Sequence, residues 1–115
     1  PEDKLWALLH DASEAYLVDV PRPLKPVLQG YREAEEKIMR AICDRYCLPE
    51  EMPAAVKDAD KRILFDERTQ NMATAPVRWA SDAEPIGVVL QYWSPATARD
   101  NFLSDFRFLT SGRAA

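Results

Sequence analysis

Apolar positions recur along this chain at helical intervals, and they mark out four segments. Leu5, Leu8, Leu9, Ala12 and Tyr16 predict a helix over 2–17, with Pro1 tolerated in its first turn and Glu2 and Asp3 suited to its positive end. Val20-Pro21-Arg22-Pro23-Leu24-Lys25-Pro26 then forbids a continued helix, since proline lacks the donor N–H and clashes with the preceding turn. Tyr31, Ala34, Ile38, Ala41, Ile42 and Tyr46 form the clearest stripe and predict a helix over 29–46, closed by Leu48-Pro49. Pro53 opens a third over 53–70, with Val56, Ala59, Ile63 and Leu64 inward. Ser94-Pro95, an N-cap residue followed by a first-turn proline, opens a fourth over 95–109 with Ala98, Phe102, Phe106 and Leu109 inward. Between Asn71 and Trp93 the periodicity fails, and 86–93 reads as an extended segment over the core. No strand finds a partner. The expected fold is all-α, a small helical bundle.

A length of 115 residues implies one domain over 1–115, with 111–115 expected to fray. A net charge of −4, without a basic stripe, argues against duplex nucleic acid, though not against a single nucleotide. No apolar run approaches the ~20 residues that span a bilayer, and no basic-then-apolar signal opens the chain. The expected compartment is therefore the cytoplasm, with no membrane partner. Cys43 and Cys47, one helical turn apart, read as reduced thiols, because a single histidine, His10, is too little for a zinc site.

Three groups of residues carry possible chemistry. On a helix turning ~100° per residue, His10, Asp11 and Glu14 share one arc. His10 and Asp11 offer a nitrogen and an oxygen ligand suited to Mn, Fe, Mg, Zn or Co, with Glu14 placed to hold a metal-bound water. The same arc also suits the solvated side of an amphipathic helix. Asp60 falls within the apolar stripe of the third helix, where a carboxylate needs a partner, a hydrogen bond or a metal. An ion pair or a rim position also accounts for it. Asp58 and Asp66 read as surface residues. The proline-stiffened loop holds Asp19, Arg22 and Lys25, and its two cations suit a phosphate. It reads equally as a rigid surface turn.

Taken together, His10-Asp-Ala-Ser-Glu-Ala-Tyr, Asp19-Val-Pro-Arg-Pro-Leu-Lys and Val56-Lys-Asp-Ala-Asp60 resemble the HD-domain metal-dependent phosphohydrolases, in the branch of the 5′-deoxynucleotidases. The resemblance covers nearly the whole chain. It implies a divalent metal (Mn, Co, Mg, Fe or Zn) held in the order His, His-Asp, Asp, with His10, Asp11 and Asp60 matching the last three ligands. It implies Glu14 and Asp19 as the catalytic acids and Arg22 and Lys25 as phosphate contacts. The substrate would be a small phosphomonoester such as a (deoxy)nucleoside 5′-monophosphate.

The family's first histidine lies on a helix upstream of the His-Asp helix, and this chain starts too late to contain it. The expectation is thus an N-terminally truncated domain of weak or no activity. An uncovered apolar patch around Trp6 and Leu9 would invite homo-oligomers. The alternative expectation is a degenerate HD fold serving as an interaction or regulatory module.

Overall fold

The computed structural model describes residues 2–73 and 84–111. They form four α-helices, α1 (Glu2–Leu9), α2 (Tyr31–Arg45), α3 (Ala54–Asn71) and α4 (Pro95–Thr110), with two short 3-10 helices at Ala12–Ala15 and Arg22–Val27. Among the described residues there is no strand, and the chain is all-α. The expected fraying of 111–115 falls, apart from Ser111, outside them.

α1 is the hub. It packs against both α3 and α4, while α2 packs on the two 3-10 helices. Leu5, Trp6 and Leu9 are buried with Cys43, Leu48 and Val56, and Met39, Ile42, Tyr46, Phe106 and Leu109 close around them. The indole N–H of Trp6 donates to the carbonyl of Pro49 at 2.8 Å, which ties α1 to the segment after α2. The expected exposed patch at Trp6 and Leu9 is therefore absent. Both side chains are core residues, because α3 and α4 together already cover this face of α1.

The helix expected over 2–17 breaks at its middle. α1 ends at Leu9, and the chain re-forms as a 3-10 turn in which the N–H of Glu14 reaches the carbonyl of Asp11 at 2.9 Å. At the break, Nδ1 of His10 lies 2.6 Å from the carbonyl of Ala7, the acceptor a continuing helix would have offered to the N–H of residue 11. The proline-rich stretch is also helical in part. Its φ near −60° suits a 3-10 turn, whereas the lost donors forbid an α-helix.

α2 ends in a left-handed cap. Cys47 has φ 55, the N–H of Leu48 reaches the carbonyl of Cys43 at 2.8 Å, and that of Cys47 reaches Asp44 at 3.4 Å. This is the Schellman pattern with cysteine where glycine is usual. It turns Leu48 back into the core against Cys43. Cys43 rather than Ala41 is thus the deepest residue of α2, and its thiol is pushed up in pKa by burial and by the charges of Asp44 and Glu50.

On α3 the buried positions are Val56, Phe65 and Asp66, so the inward face is rotated from the expected Val56–Ala59–Ile63–Leu64 stripe; Leu64 is exposed. Asp66 is no surface residue. It is 3% exposed and accepts the backbone N–H groups of Ile86 and Gly87 at 2.8 and 2.9 Å. Arg62, one turn earlier, donates to the carbonyls of Glu84 and Pro85. Gln70, one turn later, donates to Val88 and accepts from Leu90. Three side chains at i, i+4 and i+8 thereby satisfy the backbone of a segment without regular structure of its own. The segment expected over the core instead runs along α3, and most of its side chains are exposed. α4 starts at the expected cap, with the N–H of Thr97 donating to Oγ of Ser94 at 3.2 Å. Phe106 meets Tyr46 edge-on with centroids 5.4 Å apart, while Ala98 and Phe102 are exposed.

Candidate functional site

The break after α1 exposes His10 at the edge of the α1–α3 contact. From its own turn, Oδ2 of Asp11 lies 3.2 Å from Nε2 of His10. From the first half of α3, Oδ1 of Asp60 lies 3.3 Å from the same nitrogen. The sequence reading brought these residues together for a partly mistaken reason. Asp60 is no carboxylate trapped in an apolar stripe: its side chain is 50% exposed, at the rim.

The hydrogen bonding fixes what the imidazole presents. A carbonyl only accepts, so Nδ1 carries the proton shared with Ala7. In a neutral ring Nε2 then offers a lone pair, and it faces two carboxylate oxygens. Three electron-rich atoms in that arrangement call for a positive charge among them, either a proton on Nε2 or a cation. Ligand histidines commonly donate their second ring N–H to a backbone carbonyl, as His10 does. Adjacent ligands about 2.1 Å from one ion stand about 3.0 to 3.4 Å apart, which spans both observed spacings. The donor types, the tautomer and each spacing to Nε2 are therefore those that neighbouring ligands of a divalent ion adopt pair by pair. Even so, among the described residues no three His, Cys, Asp or Glu side chains form a ready-made cation cluster, and the convergence runs pairwise through His10.

Glu14 stands on the 3-10 turn that follows. Partial desolvation first, then the charges of Asp11 and Asp19 and a hydrogen bond with Asp19, hold its carboxyl above the ordinary value, partly offset by Lys25. Three of the expected site residues, Asp11, Asp19 and Lys25, are thus within electrostatic reach of Glu14. Lys25 lies further back. Its Nζ pairs with Oε2 of Glu35 at 3.4 Å and sits 5.8 Å from the centroid of the Tyr31 ring. The phenol of Tyr31 donates to the carbonyl of Val18 at 2.5 Å. Arg22 is exposed at the start of the second 3-10 helix and makes no side-chain hydrogen bond to the described residues. Tyr31 and Glu35 are the residues missed at the site. Their signal was an i,i+4 pair on the first turns of α2, directly after the proline-rich loop. Beside Asp11, between the first 3-10 helix, α2 and α4, lies an open apolar hollow of about 470 Å³ lined by Ala12, Tyr16, Ile42 and Phe106.

No family model matches the chain. The uncharacterized protein YfdR of Escherichia coli (strain K12) is 50% identical over 62 residues, which cover 54% of this chain and 35% of YfdR. An uncharacterized protein of Rhodobacter capsulatus is 41% identical over 59 residues, covering 50% of this chain and 30% of that protein. The chain spans about a third of the length of these curated relatives. No solved structure matches. No helix among the described residues is long and apolar enough to cross a membrane.

Proposed function

We propose that the chain carries the metal-site part of an HD-type phosphohydrolase acting on a small phosphomonoester, a (deoxy)nucleoside 5′-monophosphate being the leading class. The observation that supports this most is the convergence of Asp11 and Asp60, from separate elements, on Nε2 of a histidine whose other ring nitrogen is engaged by a carbonyl. His10, Asp11 and Asp60 would hold a divalent ion, which when bound supplies Lewis acidity toward a phosphate oxygen and acidifies a water.

The remaining residues divide the work by placement. Glu14, its carboxyl held above the ordinary value by desolvation and by the charges of Asp11 and Asp19, would exchange a proton with a water or a leaving oxygen, with Asp19 orienting that water. Lys25 offers a compact positive charge near that pair, and exposed Arg22 is free to swing onto a phosphate. This reading goes with a cytoplasmic enzyme, since intracellular nucleotide pools would supply the substrate. The test is phosphate release from deoxynucleoside monophosphates with added Mn²⁺ or Co²⁺. It should be run on the 115 residues with and without the metal. Weak, metal-dependent release that His10→Ala abolishes is expected. No phosphate release with either metal favours the second reading, a regulatory module.

A further inference from the structure

The loop carrying Asp19 and Lys25 is not anchored by its own hydrogen bonds alone. Both of its ends are held by one face of α2. Tyr31 and Glu35 stand one turn apart at the start of that helix, and so point the same way. Tyr31 reaches back 13 residues to the carbonyl of Val18, the residue before Asp19. Glu35 reaches back 10 residues to the ammonium of Lys25. The Tyr31 ring lies under the same ammonium. The Lys25–Glu35 contact is not a loose surface pairing, since the two side chains are only 25% and 27% exposed.

The consequence is geometric. Lysine carries its charge on a four-carbon stem with many rotamers, and an exposed one scatters its charge over a wide volume. Here an aromatic face and a carboxylate confine it. An ammonium–carboxylate contact of 3.4 Å is long for a charge-assisted hydrogen bond, so Glu35 holds the charge without saturating it. The hydrogen bond to Val18 fixes the backbone one peptide from Asp19, the residue that meets Glu14. Neither Tyr31 nor Glu35 has a place in the metal or proton chemistry.

We propose that Tyr31 and Glu35 are positioning residues: they clamp the two ends of the 18–25 loop onto α2 so that Asp19 and Lys25 face the Glu14 side of the site, with Lys25 presented to the phosphate. The proposal rests on the phosphohydrolase reading for its role in binding, though not for the clamp itself.

Two readouts test it on Tyr31→Phe, which removes only the hydroxyl, and on Glu35→Gln, which keeps shape and removes the charge. Hydrogen exchange should quicken about fivefold in 17–21 for Tyr31→Phe, the factor for one lost hydrogen bond of about 1 kcal/mol, with α1 and α3 unchanged. Glu35→Gln should quicken exchange in 22–28 instead. In the phosphate-release assay, Glu35→Gln should raise KM for deoxynucleoside monophosphate by about threefold or more with kcat within about twofold, since it frees the phosphate contact Lys25, whereas Tyr31→Phe, which loosens Asp19, should lower kcat by about twofold or more. Unchanged exchange in both variants overturns the clamp. Faster exchange with KM and kcat both unchanged overturns the positioning role. If the unmodified protein hydrolyses no phosphomonoester, the phosphohydrolase reading falls, and the exchange measurement still decides the clamp.

Discussion

Removing the Asp66 carboxylate should be among the most damaging single changes outside the apolar core. The side chain is 3% exposed and accepts two backbone N–H groups, from Ile86 at 2.8 Å and Gly87 at 2.9 Å. Hydrogen bonds to a charged acceptor contribute about 1.5–3 kcal/mol each, which sets a ceiling near 6 kcal/mol for Asp66→Ala. The 84–90 segment is open to water on its far side and retains its ties to Arg62 and Gln70, so part of that loss is recovered by hydration. A net loss of about 2–4 kcal/mol is expected. At about 2.1 cal/mol/K of unfolding entropy per residue, 115 residues give ~0.24 kcal/mol/K, so Tm should fall by roughly 8–16 °C. Asp66→Asn should lose less, because one acceptor oxygen remains while its amide opposes the second N–H. Glu67→Ala, the exposed neighbour, should stay within about 0.5 kcal/mol. Urea unfolding followed by tryptophan fluorescence and far-ultraviolet circular dichroism measures all three. An Asp66→Ala protein as stable as the Glu67→Ala control would refute the reasoning.

Other expectations follow from the same structure. Cys47→Gly should stabilise the chain by about 1 kcal/mol, since it relieves a left-handed φ of 55 at the end of α2, and a lower Tm would contradict the cap assignment. A thiol reagent should label exposed Cys47 promptly in the native state and Cys43 only after unfolding, whereas two equally fast thiols would show the core to be open. Because the folded Cys43 thiol titrates above its unfolded counterpart, its contribution is intact below the unfolded pKa of about 8.5 and is lost as pH rises toward the folded value. Stability should accordingly decline in alkaline solution more steeply than in a Cys43→Ser variant. Phe65→Ala, at 1% exposure, should cost about 3–5 kcal/mol; a cost below about 1 kcal/mol would show that the site collapses freely.

Much of the fold was legible because α2 carries a clear apolar stripe and α3 and α4 carry clear start signals, and their observed limits lie within a residue or two of the expected ones. The break at His10 was not legible. Pattern alone continues through Ala12 and Tyr16, and only the side chain's contact with the Ala7 carbonyl reveals the competition that ends α1. The approach of Asp60 to His10 was anticipated, yet the premise of burial was not met: a half-exposed carboxylate at a helix rim and a buried one have the same neighbours in sequence. Asp66 shows the converse. Its partners lie 20 and 21 residues away in a segment without periodicity, so helical phase could not distinguish it from a solvated position. Trp6 and Leu9 were expected at a surface because a family's missing helix was imagined over them, whereas α3 and α4 bury both.

The central claim is that His10, Asp11 and Asp60 hold one divalent ion, and calorimetric titration with Mn²⁺ addresses it most directly. The unmodified chain should bind one equivalent, and His10→Ala and Asp60→Ala should each weaken binding by about two orders of magnitude, equal to about 2.7 kcal/mol. Mn²⁺ that fails to bind saturably, or that binds the unmodified protein and both variants with equal affinity, would contradict the account.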